Sequence, residues 1–257
     1  MVRWLKYIVI GIYPLFVILV LLAIITFDPG SVISGLVNRE VLSSVKLSII
    51  CAVTATALAV IFGTPLAYYL ARRDFYGKSI LETLIDLPIS VPPLVCGVGL
   101  LLLFGHNGWI GKSLAAAGIH IVFTLKGAII AQFFVAAPLY IQVMRTTFRT
   151  IDSRYETVAK TLGSGSLGSF LKITVPLSRE GIINGTTMAF ARCMGEFGAT
   201  LMLASAITYK TETLPLCVFM NMSGGNISMA IAAASILILV SLIIIIIMRI
   251  SVKMIRK

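Results

Sequence analysis

Arg192 and Glu196 stand four residues apart inside a stretch of this chain that is otherwise nearly free of charge. On a helix that spacing puts both side chains on one face, one turn apart, where they can pair. In apolar surroundings such a pair has two uses: it can lock a helix against its neighbour, or its guanidinium can line a path that an anion crosses. The other residues able to do chemistry offer less. Cys51, Cys96, Cys193 and Cys217 lie singly in or beside apolar stretches, without the close pair spacings that zinc or a redox dithiol needs, and read as small packing residues. His106 and His120 sit in a Gly- and Lys-containing loop with no partner carboxylate, so no metal ligand set is expected. The run Gly163-Ser164-Gly165-Ser166-Leu167-Gly168 lacks the lysine and hydroxyl of a phosphate-binding loop. The chain itself is therefore not expected to hydrolyse ATP or to carry a cofactor.

The elements that position these residues must sit in lipid. The 257 residues are 58% hydrophobic and 12% charged, with a mean hydropathy of +1.02, more apolar surface than a water-soluble core can hide. A hydrocarbon layer about 30 Å thick needs about 20 apolar residues of helix. Six such runs occur, at about Tyr7 to Phe27, Leu42 to Ala71, Leu84 to Phe104, Ile121 to Met144, Gly181 to Ile207 and Ile227 to Met248. They are continuously apolar rather than alternating, which excludes a barrel, and lipid tolerates no unpaired backbone. The expected fold class is all-α, a polytopic membrane protein of six transmembrane helices, with residues 1–257 forming a single membrane domain. Counted from Gly181, Arg192 lies roughly 16 Å into its span, near the bilayer midplane. A charge there costs from about 3 to more than 10 kcal/mol, so it must face a cavity or a partner.

Basic residues set the expected orientation. Arg3 and Lys6; Arg72, Arg73 and Lys78; Arg145, Arg149, Arg154, Lys160, Lys172 and Arg179; and Arg249, Lys253, Arg256 and Lys257 fall on one side. Only Arg39, Lys46, Lys112, Lys126 and Lys210 fall on the other. The excess puts both termini in the cytoplasm of a plasma-membrane protein. A net charge of +11 spread over four such segments is what topology requires, and nucleic-acid binding is not expected. The first apolar run is too long for a signal peptide and lacks a small-residue cleavage site, so it reads as an uncleaved first helix. No regulatory domain is expected behind the last one.

Pro65, Pro88, Pro92, Pro93 and Pro138 are expected to interrupt helices, and three prolines in the six residues from Pro88 to Pro93 to break one near its inner end. The longest hydrophilic stretch, about 148–180, has room for two short helices on the inner face. Ser153 with Glu156 has the spacing of a capping box that would start the first, and Gly163 would end it. The second would run from about Ser166 to Ile173, with Pro176 marking re-entry into the bilayer. Such a pair of helices reads either as a docking surface for a partner or as an amphipathic loop on lipid headgroups.

The pattern Glu156-x-x-Ala159-x-x-x-Gly163, followed by Ile173-x-x-Pro176, resembles the EAA loop of the membrane subunits of ATP-binding-cassette importers. Thr157 and Val158 stand where that pattern usually has alanine directly after the glutamate. The stretch Ala189-Phe190-Ala191-Arg192-Cys193-Met194-Gly195-Glu196-Phe197-Gly198-Ala199-Thr200 is similar to the fifth-helix signature of permeases for molybdate, tungstate and sulfate. Asp86-Leu87-Pro88-Ile89-Ser90-Val91-Pro92-Pro93, with the later Gly105-His106-Asn107-Gly108-Trp109-Ile110-Gly111, is similar to molybdate permeases in particular. The similarity runs from about Leu42 to Ile247. It implies the type I importer permease fold, a coupling helix in the loop, and no catalytic residue. It also implies a second copy of the chain, a cytoplasmic ATPase dimer holding ATP and magnesium, and an extracytoplasmic oxyanion-binding protein. Molybdate is the implied substrate, with tungstate, sulfate or thiosulfate as alternatives. In this reading Arg192 and Glu196 line or lock the pathway, and Gly195 and Gly198 let helices approach closely. The competing class is an ATP-independent secondary transporter. It would favour several intramembrane carboxylates or histidines, and Glu196 is the one deep carboxylate.

Overall fold

The computed structural model describes residues 2–255, with side chains for 11–250. Arg3, Lys6, Lys253, Arg256 and Lys257, which contribute to the expected orientation, lie outside the described side chains. The helices are α1 (Val2–Phe27), α2 (Pro29–Gly35), α3 (Arg39–Arg72), α4 (Lys78–Ser90), α5 (Pro93–Phe104), α6 (Gly111–Ala116) and α7 (Leu125–Thr150). They are followed by α8 (Arg154–Thr161), α9 (Ser166–Ser169), a π turn over Phe170–Thr174, α10 (Val175–Leu177), α11 (Arg179–Met194), α12 (Gly198–Ala204), α13 (Leu214–Ser223) and α14 (Ile227–Ile255). No strand occurs among the described residues, so the chain is all-α.

Side-chain caps fix where the long helices begin. Asn38 Oδ1 accepts from the amides of Glu40 (2.9 Å) and Val41 (3.2 Å) at the start of α3, and Thr124 Oγ1 accepts from Gly127 N (3.3 Å) at the start of α7. Helix α3 turns a stripe of small residues, from Ser48 and Ala52 through Ala55, Ala59 and Gly63 to Ala67, onto α7 and α11. Small side chains let backbones approach in lipid, where no hydrophobic force draws helices together. Tyr140 of α7 fills the gap this leaves. A Cβ on Gly63 would come within 2.8 Å of its ring, and one on Gly185 of α11 within 3.1 Å. The phenol at the ring's tip is satisfied by Thr64 Oγ1 at 2.7 Å. Outward, α1, α3 and α14 expose Phe16, Leu19, Ile61, Phe62, Ile243 and Ile247, an apolar surface that only lipid can solvate.

Among the residues with described side chains, three helices, α3, α7 and α14, are long and apolar enough to cross a membrane, and the number rises to five if two bent pairs each count as one span. Two of the six apolar runs are divided, one of them at the proline cluster where a break is expected. The run Leu84 to Phe104 is divided into α4 and α5, bent by 113°. Pro92 and Pro93 offer no N–H to the helical ladder, and Val91 before them is extended (ψ 134°), the conformation that a following proline favours. Pro88 itself lies inside α4, and Pro65 and Pro138 stay inside continuous α3 and α7. A single proline removes one hydrogen bond, which a packed membrane helix absorbs. The run Gly181 to Ile207 is divided into α11 and α12 around Gly195, Glu196 and Phe197. Sequence analysis also missed α13, which is too short to span and packs on α14 and α3.

The segment 151–178 closes one end of the bundle, hereafter the loop end. The start of α3, the connection 205–213 and α13 lie at the other, the far end. Gly63→Val would drive two methyl groups into the Tyr140 ring; overpacking of this kind costs about 1–3 kcal/mol. Thermal unfolding of the purified chain in detergent should show a midpoint several degrees lower, whereas Gly11→Ala, with open space around its Cα, should leave it unchanged or higher.

Candidate functional site

Two constellations of polar residues stand out, one at the loop end and one where the broken spans meet. The first centres on Glu156. Its carboxylate is buried (5% exposed) and turned away from its own helix terminus. Oε1 accepts from Arg72 Nε at 3.0 Å and from Thr174 Oγ1 at 3.0 Å, Arg72 Nη2 lies 2.8 Å from the same oxygen, and Oε2 accepts from the Tyr68 hydroxyl at 2.7 Å. The Glu156 carbonyl takes a further bond from Ser169 Oγ at 3.4 Å. One side chain thereby ties α3 to α8 and to the π turn. The rings of Tyr68, Phe148 and Phe170 pack around it with centroids 4.7 to 6.3 Å apart.

The expected capping box does not form, because Glu156 is committed to Arg72. Ser153 makes no side-chain cap, and Asp152 Oδ1 instead accepts from Arg154 N at 2.9 Å. The expected end of α8 at Gly163 is present. Gly163 has φ +88°, its amide donates to Lys160 O and that of Ser164 to Ala159 O, both at 3.0 Å, a Schellman closure. The second helical segment runs past Ile173 to Leu177, because the π turn adds a residue that brings Thr174 round to Glu156. Return toward the bundle begins at Ser178 rather than Pro176. Ala159 and Ile173 are half-buried and Pro176 is exposed. The opposite face of α8 presents Tyr155, Val158 and Leu162, the last 83% exposed, at positions that fall together on a helix.

The second constellation joins the two breaks. Arg192 Nη1 lies 2.7 Å from Glu196 Oε2, but α11 has already ended at Met194, so the pair straddles a helix end instead of lying within a continuous helix. Glu196 Oε1 accepts from Ala199 N at 2.8 Å and so starts α12. A Cβ on Gly198 would come within 2.8 Å of Leu94 N, and one on Gly97 within 2.8 Å of Ala199 Cα, so the start of α12 is pressed against the start of α5. Gly195 makes no such approach: the nearest atom to a Cβ there is 3.7 Å away, and the close-packing role expected of it falls to Gly97. The Glu196 side chain is enclosed (1% exposed), while that of Arg192 keeps an open edge (29%). Below this joint, Arg145 holds Asp86 at 2.9 Å and Arg149 holds Glu82 at 2.9 Å, fastening α4 to α7.

Sequence reasoning found Glu156, Gly163, Arg192, Glu196 and the proline cluster, and the structure groups them into these two places. It missed Tyr68, Arg72, Thr174 and Gly97. Arg72 entered only as a topology charge at the end of an apolar run, and nothing in its spacing links it to a residue 84 positions on.

Residues 59–257 match the family model described as the binding-protein-dependent transport system inner membrane component. A probable transport system permease protein, NifC of Clostridium pasteurianum, is 35% identical over 95% of this chain and 85% of its own length. The molybdenum transport system permease protein ModB of Haemophilus influenzae is 39% identical over 69% of this chain and 78% of its own. The sulfate transport system permease protein CysW of Synechococcus elongatus is 35% identical over 81% and 76%. In three dimensions the chain is similar to one in the crystal structure of a bacterial alginate ABC transporter in complex with its alginate pentasaccharide-bound periplasmic protein. The TM-score is 0.74 at 13% identity, covering 96% of this chain and 90% of that one.

Burial by itself pushes the Glu156 carboxyl up, but the bonds from Tyr68, Arg72 and Thr174 and the Arg72 charge outweigh it and hold the group below its ordinary value of 4.5. A carboxylate whose pKa is depressed by folding stabilises the fold above its unfolded value, and that contribution is lost as pH falls through the folded value. Amide hydrogen exchange over 154–164, corrected for intrinsic rates, should accordingly be slow at neutral pH and rise as the pH drops below about 4.5. Glu156→Gln should raise it by roughly 10- to 100-fold at neutral pH, the equivalent of about 1.5–3 kcal/mol for bonds to a buried charge, and remove the pH dependence.

Proposed function

This chain belongs to the family of binding-protein-dependent transport system inner membrane components, and on that premise we propose that it is the permease subunit of an importer that carries molybdate into the cell. It is a multi-pass membrane protein and a transport component; ATP hydrolysis belongs to a separate ATPase subunit. The observation that supports the reading best is the two-sidedness of α8. One face is riveted to α3 through Glu156, and the other offers Tyr155, Val158 and Leu162 with no cover from this chain. A segment anchored so firmly to a membrane helix, with an apolar outer face, is built to receive force from a protein and pass it inward. In this reading α8 is the coupling helix, the loop end faces the cytoplasm, and its partner is one subunit of an ATPase dimer that binds ATP and magnesium.

Two copies of the chain, related by a two-fold axis, enclose one pathway. A binding protein delivers the oxyanion at the far end. Closure of the ATPase pair on ATP is transmitted through α8 to α3 and opens that end, and hydrolysis resets the inward-facing state. Coupling of this kind is reciprocal, so loaded binding protein raises ATPase activity. Both oxygens of Glu196 are engaged within the chain, which favours a locking role for the Arg192 pair. The open edge of Arg192 favours a second reading, in which the guanidinium borders the pathway.

Molybdate is favoured over sulfate because the molybdenum permease is the more similar of the relatives named for a substrate. Tungstate, nearly equal in size and charge, is the close alternative, and the choice between the two rests with the binding protein. The test is uptake of labelled molybdate into liposomes that hold the chain with its ATPase and binding protein. Uptake should need ATP and be suppressed by excess tungstate but not by sulfate; suppression by sulfate alone would move the substrate, and uptake without ATP would overturn the importer. Leu162→Asp should abolish stimulated hydrolysis while the chain stays folded, and full stimulation in that variant would remove α8 from the coupling role. Arg192→Lys should slow all oxyanions in proportion if the pair locks, and alter their relative rates if it borders the path.

A further inference from the structure

At the far end, a cluster unconnected with the loop joins three separate elements. Glu40 lies in the first turn of α3, Glu212 in the connection 205–213, and Cys217 in α13. Each places one ligand atom, a carboxylate oxygen or the thiol sulfur, within 4.8 Å of the other two. Glu212 is 1% exposed and its Oε2 is shielded from solvent without a hydrogen-bond partner. Among the described residues no lysine, arginine or histidine pairs with either carboxylate. The Cys217 thiol donates to Glu40 Oε1 at 3.9 Å, which leaves the enclosed Glu212 carboxyl beside a second carboxyl group with no cation from the protein, a costly arrangement unless something positive joins them. The surroundings hold the donors in place. Asn221 Nδ2 donates to Glu40 Oε1 at 3.0 Å and to the Cys217 carbonyl at 3.0 Å, and the amide of Leu214 donates to Ser48 Oγ of α3 at 2.7 Å, which pins the start of α13.

We propose that Glu40, Glu212 and Cys217 bind a divalent cation of the zinc class. The donor set decides the class: magnesium and calcium take oxygen ligands, whereas a thiolate with two carboxylates suits zinc. Zinc bonds of about 2.0–2.3 Å put tetrahedral donors about 3.5 Å apart. The three donor atoms now lie within 4.8 Å of one another, so binding draws them inward, and a water takes the fourth position. Glu40 is only half-buried, so the ion has a way in from the surface. Binding displaces the thiol proton of Cys217 to solvent and forms a sulfur–metal bond, with no change of oxidation state. The bound ion cross-links the start of α3, the 205–213 connection and α13. The sequence hides this, since the three residues are separated by 172 and 5 positions in a chain where no close cysteine or histidine pair draws the eye.

The test is metal binding by the purified full chain in detergent, stripped with chelator and titrated with zinc and, separately, with cobalt. One zinc should bind per chain and raise the unfolding midpoint, and cobalt should give a thiolate charge-transfer band in the near ultraviolet. Glu212→Gln and Cys217→Ser should each weaken zinc binding at least tenfold and abolish the rise in midpoint, and Cys217→Ser should also remove the cobalt band. Cys217→Ser is nearly isosteric, so it carries the test if the glutamine variant does not fold. Zinc binding that is unchanged in Cys217→Ser, calcium binding as tight as zinc, or no saturable zinc binding would each overturn the proposal.

Discussion

The bond between Glu156 and Arg72 is the constraint on which the loop end depends. The segment 151–178 is too short and too polar to build a core of its own, and its exposed apolar residues point away from the bundle. What holds it is a buried carboxylate with three donors from two other elements, roofed by three aromatic rings. Taking one partner from such a pair strands a charge, which costs more than the loss of a neutral hydrogen bond. An apolar plug would hold the loop as strongly but without direction. Three hydrogen bonds on one carboxylate fix the rotation of α8 about its axis, and hence which face looks outward.

The second constraint is the joint between the broken spans. Pro92 and Pro93 stop one helix, and Glu196 stops another by drawing its carboxylate onto Ala199 N and the Arg192 guanidinium. The loose ends are not left open, because Gly97 and Gly198 allow the starts of α5 and α12 to touch backbone to backbone. A joint of this kind bends more readily than a continuous helix, since the ladder of hydrogen bonds is already interrupted there. Its charge sits at the break, where backbone amides and an open edge make it tolerable.

Legibility in the sequence divides along the same lines. Features set by local physics could be read: the apolar runs, the stop at Gly163, the proline break and the i, i+4 pair. Features set by contacts distant in the chain could not. Ser153 and Glu156 have the spacing of a capping box, yet the distant Arg72 outbids the local amide for the carboxylate. Gly195 and Gly198 look equivalent in sequence, and only the position of Leu94 gives one of them a neighbour. The apolar runs do not map one to one onto helices for a related reason: hydropathy measures how long a stretch is apolar, not whether its backbone runs straight.

Helix α3 makes these separate sites parts of one device. It runs 34 residues without a break, about 50 Å, with Glu40 in its first turn and Arg72 in its last. Pro65 does not divide it, and the Tyr140 ring, wedged against Gly63 and Gly185, fixes it to α7 and α11 about three-quarters of the way along, nearer Arg72 than Glu40. In the coupling role proposed above, a continuous helix held nearer its loop end and bonded at both termini carries displacement along its axis. In that role, movement imposed on α8 passes to Arg72 through the Glu156 carboxylate. The other terminus of α3 lies at the far end, where Glu40 stands beside Glu212 of the 205–213 connection. The two interrupted ladders, α4–α5 and α11–α12, lie outside α3: α4 packs on α7, α5 on α12, and of the four it is α11 that packs on α3, so the connection between the two ends through α3 is itself uninterrupted.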